Sequence, residues 1–160
     1  MLDDLAAMPD RFAALFRELP RRHWHWLPKD WQGATDERFD AVGQACHLRD
    51  IEIDGYRVRF ARTLAEDRPD LVSLDGHRLA EERDYAGDDP LAAIAAFRAA
   101  RAETVARLRR LGTAEWARKA TFAEYGEVTC RGLAHLLIGH DLQHLVWMRT
   151  LLAMAPDAAA

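Results

Sequence analysis

The sequence predicts an all-α fold, namely a four-helix bundle with long interhelical connections. Alanine, leucine and arginine are abundant among the 160 residues, whereas β-branched residues are few and scattered, which favours helices over strands. Four stretches of about 18 to 26 residues show apolar side chains at helical spacing, and three long connections separate them. A chain of this length most often forms one domain, so we expect a single domain over residues 1–160.

The first helix is expected within residues 2–19. Pro9 interrupts its apolar pattern, so either the helix proper begins there or it kinks, and Pro20 ends it. The segment 20–40 is rich in proline and tryptophan and lacks a clean period. It is therefore interpreted as an ordered connection whose tryptophans pack across the ends of other helices: Trp24, Trp26 and Trp31.

The second helix should begin at Ala41 and run to about Glu66. Asp40 is a good N-cap, and Phe39 before it can pack back onto the first turn as half of a hydrophobic staple. Helical periodicity predicts an inward stripe along this helix, made of Gln44, His47, Ile51, Gly55 (or Asp54), Val58 and Ala61. A histidine therefore lies on a stripe that faces the core.

The third helix is expected to start at the cap Asp89 with Pro90 in its first position, and to stop at Gly112. The fourth helix is expected to follow the N-cap Thr129 and to end near Met154. Residues 68–89 and 113–128 have the polar composition of loops. They are predicted to be connections without regular structure.

Composition argues against several classes of function. The formal net charge is −4 and no basic cluster is interleaved with aromatic residues, so nucleic acid is not expected as a partner. No apolar run approaches the roughly 20 residues that a membrane span needs. Cys46 and Cys130 are too few for a disulfide framework, and nothing resembles a signal peptide. A cytoplasmic protein is expected.

Three histidines lie on core-facing stripes. His140 and His144 leave the same face of the fourth helix because residues i and i+4 are close in rotation, and His47 faces the core from the second helix. A pair of buried histidines can be either hydrogen-bonded core residues or metal ligands. If the three histidines meet, they form an open site with a position left for water. Imidazole ligands do not distinguish zinc, nickel, copper, iron or manganese.

Asp50 is a candidate catalytic residue because it lies one turn from His47. It can form a salt bridge to Arg49 or Arg101, orient a ligand imidazole, or act as a base near bound water. Asp141 is expected in a solvated or interhelical role rather than as a ligand. The other histidines are not expected to be metal ligands: His23, His25, His77 and His135.

Two segments carry a resemblance to a known family. FDAVGQACHLRDIEIDGYRVRF (39–60) and GEVTCRGLAHLLIGHDLQHLVW (126–147) resemble the helices of the DinB/YfiT-like superfamily, and FRAARAETVARLRRL (97–111) is similar to its third helix. The resemblance implies a metal triad at His47, His140 and His144. Gln143 and Trp147 depart from the usual pattern, and Trp147 is expected to make the pocket bulkier and less polar.

The resemblance implies a divalent-metal-dependent enzyme acting on a small-molecule substrate. Relatives of the superfamily include bacillithiol- and mycothiol-dependent enzymes, which favours a transferase using a low-molecular-weight thiol. The alternatives are a hydrolase using metal-bound water, and a non-catalytic stress-associated dimeric protein with a structural metal. A second apolar line on the fourth helix predicts a homodimer: Leu142, Leu145, Met148 and Leu152.

Overall fold

The computed structural model describes residues 1–31 and 37–156, and it confirms the helical bundle. Helix α1 is Leu2–Glu18, with Pro9 inside it. The second helical stretch comprises α2 (Ala41–Asp50), a π-helical segment (Ile51–Tyr56) and α3 (Arg57–Ala65). The third and fourth long helices are α5 (Pro90–Leu108) and α7 (Cys130–Met154). Each predicted helix is therefore present.

The predicted caps are confirmed at three helix starts. The side chain of Asp40 accepts a hydrogen bond from the backbone N–H of Gly43 at 2.7 Å, and Asp89 and Thr129 cap α5 and α7 in the same way. Phe39 packs over the first turn so closely that a Cβ on Gly43 would lie 2.7 Å from the Phe39 Cβ. Because only glycine leaves room there, Phe39 can lie against the helix that carries His47.

A π-helical segment between α2 and α3 interrupts the inward stripe that was predicted for the second helix. Its i→i+5 hydrogen bonds widen one turn and rotate every later side chain relative to an α-helix. Val58, which uniform periodicity placed in the core, is 46% exposed, whereas Arg59 and Phe60 are buried. The prediction for Val58 was wrong because a constant 3.6-residue period does not hold across this segment.

The two connections predicted as plain loops contain regular structure. Residues 68–89 hold strand β1 (Asp70–Leu71), helix α4 (Gly76–Glu82) and a 3₁₀ turn. Residues 113–128 hold α6 (Thr113–Trp116), β2 (Lys119–Phe122), a 3₁₀ turn (Ala123–Tyr125) and β3 (Gly126–Thr129). β2 pairs with β1 in parallel and with β3 in antiparallel. These strands have two to four residues each, which is too short for alternation to predict them.

The core consists of two clusters of buried side chains. One joins α1, α2, α5 and α7 and includes the predicted tryptophan packing, since the Trp31 ring meets Trp147 edge-on at 6.0 Å between centroids. Trp24 packs on Phe16 at 5.0 Å. The other cluster joins the π-helical segment, α3, the small sheet and the first half of α7, and it includes Tyr56.

A buried ionic network links three of the long helices. The Arg101 guanidinium of α5 bonds to Asp141 of α7 and to Glu52 of the π-helical segment, at 2.5 Å and 2.8 Å. All three residues are at most 2% exposed. The expected interhelical role of Asp141 is therefore present. Removing one partner from such a network is costly, because it leaves an unpaired charge in the core.

The second apolar line on α7 is not a continuous exposed surface. Met148 is buried in the core, whereas Leu142 is 47% exposed. The homodimer stays a prediction. Among the described helices, none is both long and apolar enough to cross a membrane.

Candidate metal centre

Three histidine side chains converge between α2 and α7. The His140 Nε2 lies 3.2 Å from the His47 Nε2 and 3.1 Å from the His144 Nε2. His47 and His144 are fully buried, and the His140 side chain is 16% exposed. The residues predicted as a triad are thus brought together by two helices; whether they bind a metal stays a prediction.

Glu37 adds a carboxylate that the sequence analysis missed. Its Oε1 lies 3.1 Å from the His47 Nε2, and its Oε2 lies 3.3 Å from the His144 Nε2. The four ligand atoms all lie within 4.8 Å of one another. Glu37 belongs to the connection before α2 and has a left-handed backbone with φ of 53°. No periodicity marks such a position. The one available signal was an acidic residue three positions before the cap of the histidine-bearing helix.

The spacing of these atoms fits a divalent cation. Ligands about 2.0–2.1 Å from a tetrahedral ion lie about 3.3–3.4 Å from each other, close to the two separations between histidine nitrogens. Glu37 approaches His47 with Oε1 and His144 with Oε2 at similar distances. Imidazole nitrogens and a carboxylate suit zinc and related transition ions. The donor set therefore fits the predicted ion.

Gln44 fixes which nitrogen of His144 faces the centre. The Gln44 amide nitrogen donates to the backbone carbonyls of Glu37 and Phe39, at 3.1 Å and 3.2 Å. Its oxygen must then be the atom 2.5 Å from the His144 Nδ1. Because a carbonyl oxygen only accepts, Nδ1 carries the hydrogen and the Nε2 of a neutral His144 presents a lone pair to the centre.

The protonation states strengthen the fit. Burial lowers the pKa of His144 to about 3, and burial also lowers the pKa of His47, so both rings are neutral at neutral pH. Burial raises the pKa of Glu37 and hydrogen bonds from His144 and His47 would lower it, but a neutral His144 with its hydrogen on Nδ1 has no Nε2–H to donate. An ionised carboxylate and imidazole lone pairs that point at one another are stabilised by a cation between them.

Close packing against α4 holds the His47 ring. A Cβ on Gly76 would lie 2.7 Å from the His47 Cε1 and 3.0 Å from its Nδ1, so glycine is needed where α4 begins. Within the part of the chain that the structure describes, the buried Nδ1 atoms of His47 and His140 have no hydrogen-bond partner. The His140 Nδ1 lies 3.9 Å from Asp141, beyond hydrogen-bond range.

Asp50 lies in a separate polar cluster. Its carboxylate accepts hydrogen bonds from Arg49 and from the Tyr85 hydroxyl, both at 2.7 Å, and pairs with Arg83 at 3.0 Å. The salt bridge to Arg49 is thus present, whereas Arg101 pairs elsewhere. None of the contacts described for Asp50 reaches a histidine of the centre. Its role as a base stays a prediction without a contact to support it.

The remaining histidines lie outside the cluster of four ligand atoms. His25 pairs with Asp40 at 3.1 Å, His77 packs on the Phe39 ring and His23 is buried near the end of α1. Trp147 packs against Trp31; it is not among the residues that line the cavity beside the centre. The expected effect of Trp147 on that pocket is therefore not seen.

A cavity of about 530 Å³ opens beside the centre. Glu37, His140 and Gln143 form one side of it, and the Gln143 amide donates to the Glu37 Oε2 at 3.2 Å. The opposite side comes from α3 and from the connections, including Arg59, Ser73, Glu124, Tyr125 and Phe122. The centre is thus accessible to a small molecule.

Comparisons with known proteins agree with this architecture. The family model of the DinB superfamily matches residues 4–148. No curated protein matches the chain. A solved structure of YfiT from Bacillus subtilis, described as a probable metal-dependent hydrolase with an unusual four-helix bundle topology, superposes with a TM-score of 0.81. The two are 18% identical, and the match covers 94% of this chain and 82% of that one. The chain belongs to the DinB superfamily.

Proposed function

We propose that this protein is a divalent-metal-dependent enzyme that hydrolyses a small molecule, with His47, His140 and His144 as metal ligands. The observation that carries the proposal is the Glu37 carboxylate, which faces both buried histidines at the edge of an open cavity. A divalent ion held there would supply Lewis acidity and lower the pKa of a water molecule. The similar YfiT structure is described as a probable hydrolase, which supports the same class of reaction.

The residues around the centre have two kinds of role: some position the metal ligands, and others take part in proton transfer. Gln44 holds His144 in the tautomer that presents Nε2, and α4 packs against the His47 ring. In this proposal the three histidines hold the ion, and Glu37 does not act as a fourth ligand but takes a proton at Oε2 and returns it to a leaving group. Gln143 orients that oxygen by its hydrogen bond.

A transferase that uses a low-molecular-weight thiol is the second candidate. Burial raises the pKa of Cys46 to about 12 and that of Cys130 to about 11, and both thiols are buried in the core. Neither is a nucleophile at neutral pH. Thiol chemistry in this cavity would therefore require a thiol brought by a second small molecule, for which a volume of about 530 Å³ leaves room.

Metal content tests the centre itself. The purified protein should contain close to one equivalent of divalent metal by elemental analysis, and His140→Ala should contain less than about a tenth of that. His135→Ala is the matched control, because His135 lies on the same helix and lines the same cavity but is outside the ligand cluster. Metal-free wild type, or His140→Ala with full metal content, would contradict the proposal.

Turnover separates the two candidate reactions. A hydrolase should cleave ester or amide substrates without any added thiol, and Glu37→Gln should reduce kcat by about 10²–10⁴-fold. A thiol-dependent transferase should consume electrophiles only when a thiol is supplied. If neither reaction occurs in metal-loaded protein, a structural role for the metal is supported instead.

A further inference from the structure

Arg59 is a buried cation that pairs with no carboxylate among the described residues. It is 6% exposed. Its two hydrogen bonds, from Nε and one terminal nitrogen, both go to the Val72 carbonyl, at 3.2 Å and 3.0 Å. The guanidinium carbon stacks 4.8 Å from the Tyr56 ring centroid and 4.5 Å from that of Phe122. Since a guanidinium has five N–H donors, part of the fork is left for another acceptor.

Arg101, the other deeply buried arginine, has its charge balanced by two carboxylates. Burial acts to lower the pKa of Arg101, but the charges of Asp141 and Glu52 reverse this and the pKa is raised. Burial also lowers the pKa of Arg59, and there the neighbouring groups do not reverse it. Both side chains stay protonated. The two arginines therefore differ in that the charge of Arg59, unlike that of Arg101, is not paired with a carboxylate among the described residues. Buried charges are normally paired.

The unmatched charge faces the cavity of the candidate metal centre. Arg59 lines that cavity together with Glu37 and His140. The Tyr56 ring lies between the two ends, since it stacks on Arg59 and its centroid is 6.2 Å from that of His140. A molecule of a few bonds can therefore contact both the guanidinium and the metal centre.

Glu124, an acidic residue that also lines the cavity, does not form an ion pair with Arg59. Glu124 lines the cavity but is exposed, and its carboxylate accepts a hydrogen bond from the Ser73 hydroxyl at 2.8 Å. Its charge acts on Arg59 from beyond ion-pair distance. The cavity thus offers, at one end, a guanidinium with no carboxylate paired to it among the described residues.

We propose that Arg59 binds a terminal oxyanion of the substrate, a carboxylate or a phosphate, and so selects anionic small molecules whose other end reaches the metal centre. Only the statement that the other end of the substrate reaches the metal centre rests on the proposed metal-dependent function. Guanidinium and oxyanion form two parallel hydrogen bonds of high strength. The aromatic rings on its faces fix the plane of the fork, which makes it a specificity-determining residue rather than a catalytic one.

Anion binding tests the proposal directly. Succinate and inorganic phosphate are titrated in parallel into the purified wild-type protein, Arg59→Met and Arg57→Met, by calorimetry. Arg57 is the matched control because it lies two residues away but pairs with Glu103 on the surface. We expect at least one anion to saturate wild type and Arg57→Met, and Arg59→Met to bind it at least tenfold more weakly. Which anion binds identifies the carboxylate or the phosphate as the ligand.

Two further measurements keep the test decisive. If Arg59→Met does not fold, as judged by circular dichroism, Arg59→Lys replaces it and should bind at least threefold more weakly, because lysine cannot form the bidentate contact. The titration is repeated on His140→Ala, in which Arg59-dependent binding should persist without metal. The proposal of an anion subsite and the proposal of a metal centre can then be refuted independently of each other.

Two results would overturn the anion subsite. One is wild-type protein that binds neither succinate nor phosphate at concentrations of about 10 mM. The other is an Arg59 variant that binds with wild-type affinity. For any ester that the metal-loaded protein cleaves, adding a terminal carboxylate should raise kcat/KM in wild type, and Arg59→Lys should lose at least threefold of that preference. Equal preference in both proteins would likewise contradict the assignment.

Discussion

Replacing Gln44 by leucine should loosen the candidate metal centre without removing any of its ligands. Gln44 is fully buried, and its amide connects the His144 Nδ1 to the backbone carbonyls of Glu37 and Phe39. Leucine has a similar size and no polar atom. The His144 ring would lose the acceptor that sets its tautomer, and the Glu37 segment would lose the donor that holds it over the helix.

The magnitude follows from these three hydrogen bonds. A buried donor or acceptor left unpaired costs about 1–3 kcal/mol, and the Glu37 carbonyl bond is only partly buried, so water can replace part of it. We therefore expect the free energy of unfolding of metal-free protein to fall by about 2–4 kcal/mol. Loss of a partner that orients a ligand lowers metal affinity about 10–100-fold.

Zinc affinity is measured by competition with a chromophoric chelator, and stability by urea unfolding in the presence of EDTA. Gln143→Leu is the matched control, because it removes a single half-buried hydrogen bond to Glu37 at 3.2 Å. That variant should lose less than about 1 kcal/mol of stability and only a small part of the zinc affinity. Gln44→Leu with wild-type zinc affinity would refute the inference that Gln44 orients His144.

Three more predictions follow from burial. Because burial lowers the pKa of His144 to about 3, below its unfolded value of about 6.5, the unfolded state binds its proton more tightly. The metal-free protein should then lose about 2 kcal/mol of stability between pH 7 and pH 5, and a flat urea-midpoint profile over that range would contradict the shift. Arg101→Met leaves the carboxylates of Asp141 and Glu52 unpaired and should cost about 3–5 kcal/mol; an unchanged melting temperature would contradict this. Val58→Thr, at an exposed site, should change stability by less than about 0.5 kcal/mol in the same urea assay, whereas a core position would lose more.

The helices of this fold could be predicted because their signals are local. Asp40, Asp89 and Thr129 are capping residues at the end of a polar stretch, and each structure-defined helix begins one residue later. The fourth helix carries its two histidines one turn apart, which requires only that the helix forms. The convergence of His47 with that pair depended on long-range packing, for which the family resemblance was the guide.

The remaining features could not be predicted because their causes are not local. The π-helical turn places Arg59 in the cavity, yet no residue within it differs in kind from those of an ordinary helix. Glu37 reaches the centre through a left-handed backbone in an irregular connection. Strand β1 is stabilised by pairing with residues of β2 about 50 positions away, whereas β2 and β3 pair locally as a hairpin. Single strands of this length carry too little pattern to be predicted.

The three connections have a consequence for how this fold can change. The bundle supplies the histidines from its interior, whereas Glu37, Ser73 and the 3₁₀ turn Ala123–Tyr125 come from separate connections that meet over the cavity. Connecting segments accept insertions and substitutions that packed helices do not. Exchanging the hairpin of β2 and β3 between relatives is therefore a way to alter the substrates that enter while the interior stays as it is. The same helical bundle can in this way be combined with many different cavity openings.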